Sequence, residues 1–420
     1  MIEIKDKQAC CGCQACVSVC AKHCITMQTD SEGFLYPVVD KDACTDCGLC
    51  EKVCPVIHQA APVEPQATYI AINRNEEIRL QSSSGGIFTL LAEQVIAEGG
   101  VVFGARFDKD WSVIHSWTDT IEGLAAFRGS KYVQSRIGDS YREAREFLKQ
   151  GRKVLFSGTP CQIAGLRKFL RKDYDNLLTV DFICHGVPSP GVWQRYLSEL
   201  REELRAERGV GKNTVPLSMD ELPVITGISF RDKTNGWKKY GFLLRYAASE
   251  AASNSVSSSA IKEEKEFLQP FPENPFMRGF LADVYLRPSC YACSAKSGKS
   301  GSDITIADAW GIHHFAPEHD DDRGACYVLE NTSKGTTYMG LFSFEQHHVD
   351  VDVVKQYNPA YVISVKPHPK RCQFFKQYTT RRGDMTISKI VHQVLTPTYI
   401  DKLKWSIKSR LTSVKHLLQK

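Results

Sequence analysis

Eight cysteines near the N-terminus have a spacing that is typical of iron–sulfur ligation. They form two runs of the pattern C-x2-C-x2-C-x3-C, and Pro55 directly follows the second run. In two-cluster ferredoxins, three thiolates of each run hold one [4Fe-4S] cluster and the fourth reaches the other cluster. The pattern therefore predicts two clusters. Their ligands are Cys10, Cys13, Cys16 and Cys54 for the first cluster, and Cys44, Cys47, Cys50 and Cys20 for the second.

Zinc is the alternative metal for this segment. Zinc prefers four tetrahedral ligands from paired Cys-x2-Cys units rather than three-step runs, so the pattern favours iron and sulfide. Ala21 replaces the proline expected after the first run, and Cys11 and Cys24 are out of step with the spacing and are interpreted as spare. Ordering about 55 residues costs conformational entropy, and this segment has few large apolar side chains to offset that cost. We therefore expect cluster ligation to stabilise its fold.

Four further cysteines have a context that suggests chemistry. Cys161 and Cys184 each follow a predicted strand, in GTPCQIAGL and DFICHG, and Cys290 and Cys293 form a Cys-x2-Cys pair. Ligands of open α/β sheets bind at the carboxyl ends of the strands, so these thiols are expected to converge. A third cluster is the first interpretation, and a redox-active thiol pair in a flavin pocket is the alternative.

Three other motifs could bind a cofactor or a substrate. SSSGGIF places two glycines at a helix start, where free N–H groups favour an anion, with Ser83 or Ser84 as the expected N-cap. FRGSKYVQS offers Lys131, which could hold a phosphate or the edge of a flavin. His185 could position a substrate proton, although a lone histidine is often a structural residue.

Hydrophobic periodicity predicts the elements that position these residues. We predict an α+β ferredoxin-like domain over residues 1–60, a linker over 61–67, an α/β domain with a mixed sheet over 68–380 that carries the candidate flavin-binding motifs, and a helical tail over 381–420. The polar stretch 251–266 is expected to be an exposed insertion. Strands are predicted in YIAIN, VVFGARF, VLFSG, LLTVDFIC, GISFRD, GFLLRYAA and DITIADAWG, and helices in IFTLLAEQVIAE, SYREAREFLKQG and CQIAGLRKFL.

The C-terminal segment is predicted to be a basic amphipathic helix that begins after Pro397. Its apolar residues recur at steps of three and four, and lysines and arginines occupy other positions. The helix could dock on the core of the protein, bind a partner or lie on an anionic membrane surface, and the sequence leaves the three open. The apolar residues are Ile400, Leu403, Ile407, Leu411, Val414 and Leu418.

Composition limits the remaining alternatives. The chain has 420 residues, 42% hydrophobic and 24% charged, with a net charge of +5, which does not imply nucleic-acid binding. No apolar run is long enough to span a membrane and no secretory signal is recognisable, so a cytoplasmic location is expected. Cys326 and Cys372 lack the contexts described above and are expected to be buried core thiols.

The ordered set of motifs resembles the beta-subunit family of coenzyme F-420 hydrogenases and dehydrogenases. The resemblance spans residues 1–375 and rests on the two-cluster segment, SSGG, GSKYVQS, GTPCQIAGLR, CHGVPSP, RPSCYAC and DITIADAWG. ADAWG departs from the GDFWG that is commoner in the family. The family implies an oxidoreductase that passes electrons between clusters and FAD, with ferredoxin or a redox partner subunit on one side and a coenzyme F-420-like or other small molecule on the other.

The resemblance also implies roles for particular residues. Cys161, Cys184, Cys290 and Cys293 should hold a cluster near the flavin, and Lys131 and His185 are the candidate catalytic residues. A non-catalytic subunit that relays electrons within a larger redox complex is the alternative function. The residues expected to bind FAD are Ser83, Ser84, Gly85, Gly86, Ser130, Lys131, Tyr132, Gln134, Thr159, Pro160, Asp308 and Trp310.

Overall fold

The computed structural model describes residues 1–206, 222–247, 264–380 and 385–397. The amphipathic helix predicted after Pro397 and most of the polar stretch 251–266 lie outside the described residues. Within the described part of the chain, no helix combines the length and the apolar character needed to span a membrane.

The first 60 residues form a small unit with two short helices and a hairpin. Helices α1 and α2 each follow a residue with left-handed backbone, Gln14 at φ 62° and Gly48 at φ 71°, so the chain turns sharply within each triple of close cysteines. The hairpin strands β1 and β2 pair antiparallel. The elements are α1 (Ala15–Val19), β1 (Ile25–Thr29), β2 (Leu35–Val39) and α2 (Leu49–Lys52).

An eight-stranded mixed sheet organises the rest of the chain, which confirms the predicted α/β architecture. The strand order is β13-β3-β12-β11-β7-β6-β4-β5. The four central neighbours β4, β6, β7 and β11 run parallel, and the outer pairs are antiparallel. The strands are β3 (Ala67–Ile72), β4 (Val101–Phe107), β5 (Val113–Thr118), β6 (Val154–Ser157), β7 (Leu177–Phe182), β11 (Ile304–Asp308), β12 (Cys326–Glu330) and β13 (Glu345–His348).

Helices cover both faces of this sheet. Helix α6 begins with a capping box formed by Thr159 and Gln162, and Pro160 occupies the first turn, where no intrahelical N–H donor is needed. The helices are α3 (Glu76–Gln81), α4 (Ile87–Ala97), α5 (Ser140–Lys149), α6 (Pro160–Leu170), α7 (Pro190–Ala206), α8 (Pro275–Leu281), α9 (Ile312–Phe315), α10 (Ser333–Met339), α11 (Val351–Tyr357), α12 (Arg371–Thr380) and α13 (Ile387–Leu395). Short 3₁₀ helices span Lys7–Ala9, Glu122–Ala126, Pro288–Ala292, Pro317–His319 and Pro359–Tyr361.

A three-stranded antiparallel sheet packs beside the main sheet, with strand order β10-β9-β8. Its strands are β8 (Val224–Asp232), β9 (Gly241–Ala247) and β10 (Lys265–Pro270). Because β10 begins at Lys265, the predicted insertion ends earlier than residue 266. Helices α7, α8 and α13 share an aromatic-rich core with this sheet. Helix α13 therefore belongs to the core, although the sequence pattern placed it in a tail; the boundary at residue 380 stays a prediction.

The cysteine-rich unit packs directly against the main sheet and its helices. A Cβ on Gly165 of α6 would lie 2.9 Å from the Cβ atom of Cys13, so only glycine permits this approach. Arg142 of α5 donates to the carbonyl oxygens of Val17 and Ser18, at 2.9 and 3.0 Å. These contacts hold the N-terminal cysteines against α5 and α6.

Two local predictions are wrong. Helix α4 has Gly86, at φ 81°, as its N-cap instead of Ser83 or Ser84. The hydroxyl of Ser83 instead accepts hydrogen bonds from the backbone N–H and hydroxyl of Ser130, and Ser84 donates to the carbonyl of Ala325. Cys372 is exposed, because α12 buries Phe374 and Phe375 and turns Cys372 outward.

Candidate functional site

The structure brings the predicted ligands of the first cluster together. Cys10, Cys13, Cys16 and Cys54 line one small cavity of the N-terminal unit, which we call the first cysteine cavity. Cys54 comes from the second run, as the interleaved pattern requires. Cys11 also lines this cavity.

Two of the four predicted ligands of the second cluster meet at Cys24. Cys20 and Cys44 both contact Cys24, and the sulfur atoms of Cys20 and Cys24 are 3.4 Å apart. Cys50 is buried and its sulfur accepts the backbone N–H of Ile2 at 3.3 Å, whereas Cys47 is exposed. Cys24 is therefore not isolated, because it lies among these ligands.

Cys161, Cys184, Cys290 and Cys293 line a second cavity, which we call the second cysteine cavity. They come from the start of α6, the loop just after β7 and the 3₁₀ helix Pro288–Ala292 with its C-cap, and thus from segments far apart in the chain. Burial raises the pKa of the Cys290 thiol to about 12. Four convergent cysteines supply the number of thiolates that a [4Fe-4S] cluster needs.

Cys11 links the two cysteine cavities. It lines both of them, and its thiol is in hydrogen-bonding contact with those of Cys13 and Cys161. Nothing in the spacing assigned Cys11 a position, since it is adjacent to Cys10 and outside the ligand pattern. A fifth cysteine therefore borders the second cysteine cavity.

A large cavity of about 530 Å³ lies at the carboxyl ends of β6, β7 and β11, in the size range of cofactor sites. Side chains from both sheets and from the start of α4 line it. Ten of the residues predicted to bind the flavin or to act in catalysis border this large cavity: Ser83, Ser84, Gly86, Ser130, Lys131, Tyr132, Thr159, His185, Asp308 and Trp310.

Three residues predicted to bind the cofactor do not line the large cavity. Gly85 is packed against the main sheet, with its N–H donated to the sulfur of Cys326 at 3.1 Å. The amide of Gln134 donates to the carbonyl of Cys11 at 3.0 Å, at the contact with the N-terminal unit. Pro160 borders the second cysteine cavity instead.

Lys131 is held by its own loop. Its ammonium donates to the carbonyl oxygens of Ala126, Arg128 and Gly129, at 2.8, 2.8 and 3.2 Å. Burial lowers the pKa of Lys131 to about 7, whereas the three carbonyl oxygens favour the charged form. Since all three ammonium hydrogens have partners, the lysine organises the loop that borders the large cavity.

His185 lies where the large cavity and the second cysteine cavity meet. Its Nε2 is 2.7 Å from Oδ1 of Asp283, and its ring packs edge-on against Phe280. A carboxylate at this distance fixes the orientation of an imidazole ring. The position is compatible with contact to a ligand in the large cavity, and Asp283 was not foreseen.

Arg231 and Asp308 form a buried pair in the wall of the large cavity. The guanidinium donates to the two carboxylate oxygens at 2.9 and 3.3 Å, and the indole of Trp237 donates to Asp308 at 3.1 Å. Trp237 stacks on Trp310 with ring centroids 4.8 Å apart. Sequence reasoning found Asp308 and Trp310 but missed Arg231, which is 77 residues distant.

Two titratable groups that the sequence did not single out also border the large cavity. Burial raises the pKa of Asp181 to about 6, although hydrogen bonds from neighbouring hydroxyl groups oppose the rise. Burial lowers the pKa of His115 to about 4, so this imidazole is neutral at neutral pH. Asp181 is thus a buried carboxyl group able to exchange a proton near physiological pH.

Several buried polar atoms of the large cavity lack a partner among the described residues. They are Nε of Arg128, Nε of Arg231 and Nδ1 of His115. Buried polar groups are normally satisfied, so the two arginine N–H donors suit a ligand with acceptor atoms. Nδ1 of the neutral His115 is an acceptor, because Nε2 of the same ring donates to the carbonyl of Ser157. The start of α4 adds backbone N–H groups, which favour a phosphate, and aromatic side chains offer faces for a planar ring. The residues present therefore fit a flavin nucleotide.

A buried arginine connects the two cysteine cavities. Arg287 has no exposed surface, and its guanidinium donates to the carbonyls of Cys10 and Leu35, at 2.8 and 2.9 Å, and to Gln134. One of its nitrogen atoms is 3.6 Å from the sulfur of Cys10. No described carboxylate forms an ion pair with it, so the nearest sulfur atoms are its electrostatic partners.

The cavities form a continuous series. The first and second cysteine cavities share Cys11 and Val56, and the second cysteine cavity and the large cavity share residues 184–187. Redox groups bound in neighbouring cavities would therefore border the same residues.

Comparisons with known proteins agree with the N-terminal and central parts of this description. Residues 9–57 match the family model described as 4Fe-4S dicluster domain, which confirms an iron–sulfur domain at the N-terminus. Residues 151–343 match the model for the C terminus of the coenzyme F420 hydrogenase/dehydrogenase beta subunit. None of the curated proteins matches the sequence.

One solved structure is similar over much of its length. It is a chain of the F420-reducing [NiFe] hydrogenase complex from Methanosarcina barkeri, determined as a xenon derivative. The two chains are 16% identical, with a TM-score of 0.43, and the similarity covers 72% of this chain and 90% of that one.

Proposed function

Because residues 151–343 match the C terminus of the coenzyme F420 hydrogenase/dehydrogenase beta subunit and residues 9–57 match a 4Fe-4S dicluster domain, we propose that the chain is an iron–sulfur flavoprotein oxidoreductase of this family. Two [4Fe-4S] clusters bind in the N-terminal unit, a third binds in the second cysteine cavity, and FAD binds in the large cavity. The chain passes electrons between these groups and exchanges them with a soluble small molecule.

The observation that carries this proposal is the shared wall of residues 184–187. This wall separates four convergent cysteines from the large cavity that has orphaned buried donors. A cluster on one side and a flavin on the other would be in van der Waals reach of the same residues. That arrangement suits a protein in which one-electron carriers serve a two-electron cofactor.

Each segment of the large cavity has a proposed task. The N–H groups at the start of α4, after Gly86, bind phosphate, and Arg128 supplies a positive charge. Arg231, oriented by Asp308, would donate to the ring system, and Trp310 and Phe280 would supply apolar contacts to it. Flavin, when bound, supplies hydride or paired-electron chemistry, while Asp181 and the His185–Asp283 pair hold protons at the edge of the site.

Coenzyme F420, named by the matching family, is the first candidate for the acceptor. A different small molecule is compatible with the same cavity, since fold and family do not determine the substrate. Ferredoxin or a partner subunit exchanges electrons with the clusters on the other side.

Anaerobic purification followed by iron, sulfide and flavin determination tests the proposal. We expect three clusters and one flavin per chain, and oxidation of the dithionite-reduced flavin by a deazaflavin, nicotinamide or quinone acceptor. Clusters without flavin would contradict the proposal and favour an electron-relay subunit. Zinc without iron would contradict both functions.

Cysteine variants test the third cluster. Cys161→Ala and Cys290→Ala should each lower the iron content by up to about four atoms per chain. Cys372→Ala is the matched control, because this cysteine is exposed and lies outside the cavities. Iron content unchanged in both cavity variants would rule out a cluster in the second cysteine cavity.

A further inference from the structure

A strongly basic cleft of about 430 Å³ lies between the N-terminal unit and helix α6, apart from the large cavity. The N-terminal unit contributes Lys52 and His58, and the loop after Cys293 contributes one wall. We call it the basic cleft. Its cations are Lys52, Arg167, Lys168, Arg171, Lys172 and Lys299.

Most of these cations are poorly neutralised. Asp173 is the one carboxylate among the described residues of the lining, and its side chain is 95% exposed, at 3.4 Å from the guanidinium of Arg167. Arg167 also lies 3.4 Å from the buried carboxylate of Asp303, so it is the best neutralised of the set. Among the described residues, no carboxylate lies within ion-pair distance of Lys52, Lys168, Arg171 or Lys299. Concave surfaces lined by charge of one sign concentrate the potential and attract a partner of the opposite sign.

The basic cleft ends at the second cysteine cavity. Cys161 lines both, and the ammonium of Lys299 is close enough to influence the thiol of Cys293 electrostatically. The basic cleft is therefore a direct approach from solvent to the cysteines of the proposed third cluster.

We propose that the basic cleft is the docking surface for the acidic face of a small electron-carrier protein of the ferredoxin type. This inference rests on the proposed function, because it names the partner of the same electron path. Exposed cations at the rim, such as Lys52, Arg171 and Lys172, are contributed by two units of the chain and suit a broad acidic surface. A small anion would need only the inner side chains, such as Arg167 and Lys299.

Docking allows one electron to pass from the reduced carrier to a cluster of this chain. The carrier is oxidised by one electron, the cluster is reduced by one, and no proton or other reactant is required. Two docking events deliver the electron pair that a two-electron acceptor consumes.

The test uses the full-length holoprotein and a purified, reduced, acidic two-cluster ferredoxin. Stopped-flow absorption follows reduction of the iron–sulfur chromophore. The double variant Lys168→Glu with Arg171→Glu should lower the second-order rate constant by about tenfold or more at low ionic strength. The wild-type rate constant should fall as salt is added, and reduction by dithionite should be unchanged.

A second double variant provides the matched control. Lys109→Glu with Lys265→Glu makes the same change in net charge at exposed positions on segments that do not line the basic cleft, and should leave the ferredoxin rate constant within about twofold of wild type. This comparison separates local docking from the effect of overall charge.

Several results would overturn the docking proposal. One is equal rate constants for the two double variants, and another is equal loss of dithionite and ferredoxin reduction in the cleft variant. ATP serves as a polyanion probe. If ATP binds tightly to the wild type but not to the cleft variant, and does not slow reduction by ferredoxin, the basic cleft is a small-anion site instead. The experiment measures reduction of the iron–sulfur clusters and does not depend on flavin. A holoprotein without flavin would therefore refute the proposed function but would leave the test of docking valid.

Discussion

At the residue scale, side chains that the sequence did not single out surround the predicted ligands. Arg287 is fully buried beside Cys10, and Cys11 contacts Cys161. Asp181 lies in the wall of the large cavity with a raised pKa. These residues would affect charge and proton binding around the proposed redox groups, whereas the cysteines are the proposed cluster ligands.

The buried cation of Arg287 should raise the reduction potential of the first cluster. Reduction adds a negative charge, which a guanidinium in a poorly screened environment stabilises. We expect Arg287→Gln to shift the midpoint potential of the cluster at Cys10 to a lower value, and to leave that of the cluster at Cys47 unchanged. Electron paramagnetic resonance during a redox titration distinguishes the two clusters.

Arg136→Gln is the control for Arg287→Gln, because the side chain of Arg136 is 53% exposed. We expect Arg136→Gln to leave the midpoint potentials of both clusters unchanged. Full iron content with an unaltered midpoint potential in Arg287→Gln would show that the arginine has only a structural role.

Asp181 should titrate with a midpoint near pH 6. Burial favours the neutral carboxyl group, so the folded protein binds a proton that the unfolded chain releases near pH 4. The sign follows from proton linkage: the contribution of Asp181 to the free energy of unfolding falls by about 1.4 kcal/mol from pH 5 to pH 8. The protonated carboxyl group gives a C=O stretching band in the infrared difference spectrum between wild type and Asp181→Asn. We expect this band to disappear between pH 5 and pH 8.

Asp110→Asn is the comparison for the infrared measurement, because hydrogen bonding from Ser112 holds the pKa of the Asp110 carboxyl below its usual range. Its difference spectrum should lack the band near pH 6. A band of Asp181 that is absent at pH 5 would contradict the raised pKa.

At the element scale, helix ends and close helix contacts position the groups. Helix α4 directs its first turn at the large cavity because Gly86 accepts the left-handed backbone. Helix α6 starts beside Cys161 and passes close to the N-terminal unit at Gly165. These two helices therefore determine the spacing of the cavities.

A methyl group at Gly165 should disturb the first cluster. The added Cβ would lie 2.9 Å from Cβ and 3.0 Å from Sγ of Cys13, so a cysteine ligand or α6 must move. We expect Gly165→Ala to cost about 1–3 kcal/mol and to reduce iron content or shift the cluster spectrum. Thermal unfolding and iron determination measure the two effects.

Gly340→Ala is the matched control for this substitution. Gly340 follows α10 with a helical backbone, and the nearest atom to an added Cβ would be 3.4 Å away. Its stability should change by less than about 0.5 kcal/mol. Equal behaviour of the two variants would contradict the tight contact between Cys13 and α6.

At the scale of the whole molecule, the N-terminal unit and the body form one packed structure. The hairpin of β1 and β2 reaches helix α12 through Glu32, whose carboxylate accepts two hydrogen bonds from Arg371 at 2.9 and 2.6 Å. The carbonyl of Glu32 also accepts the hydroxyl of Ser189 at the start of α7. Distant parts of the chain thus fix the hairpin in place.

Removing the carboxylate of Glu32 should loosen this hairpin. Both side chains of the pair are largely buried, at 17% and 13% exposure, so Arg371 would be left as an uncompensated charge. We expect Glu32→Ala to cost about 3–5 kcal/mol and to speed amide exchange in β1 and β2. Glu3→Ala, at a side chain 70% exposed, should change neither quantity. Unaltered exchange in Glu32→Ala would exclude a role of the pair in anchoring the hairpin.

Much of the fold was predictable where local signals are strong. VVFGARF and LLTVDFIC are apolar runs of strand length, and they form the central strands β4 and β7. The polar strand β13, with sequence EQHH, has no such signal, because it pairs at the sheet edge through its backbone. Its formation depends on β3, which is distant in the chain.

The sequence by itself determined the cysteine-run chemistry and the alternation of strands and helices, since both depend on spacing within a few residues. The tertiary structure alone decided which distant groups meet. Arg287 contacts Cys10 across 277 positions, and Arg231 meets Asp308 across 77. These pairs form because the packed sheet and helices bring their segments together, and single side chains carry no local pattern that encodes a partner so far along the chain.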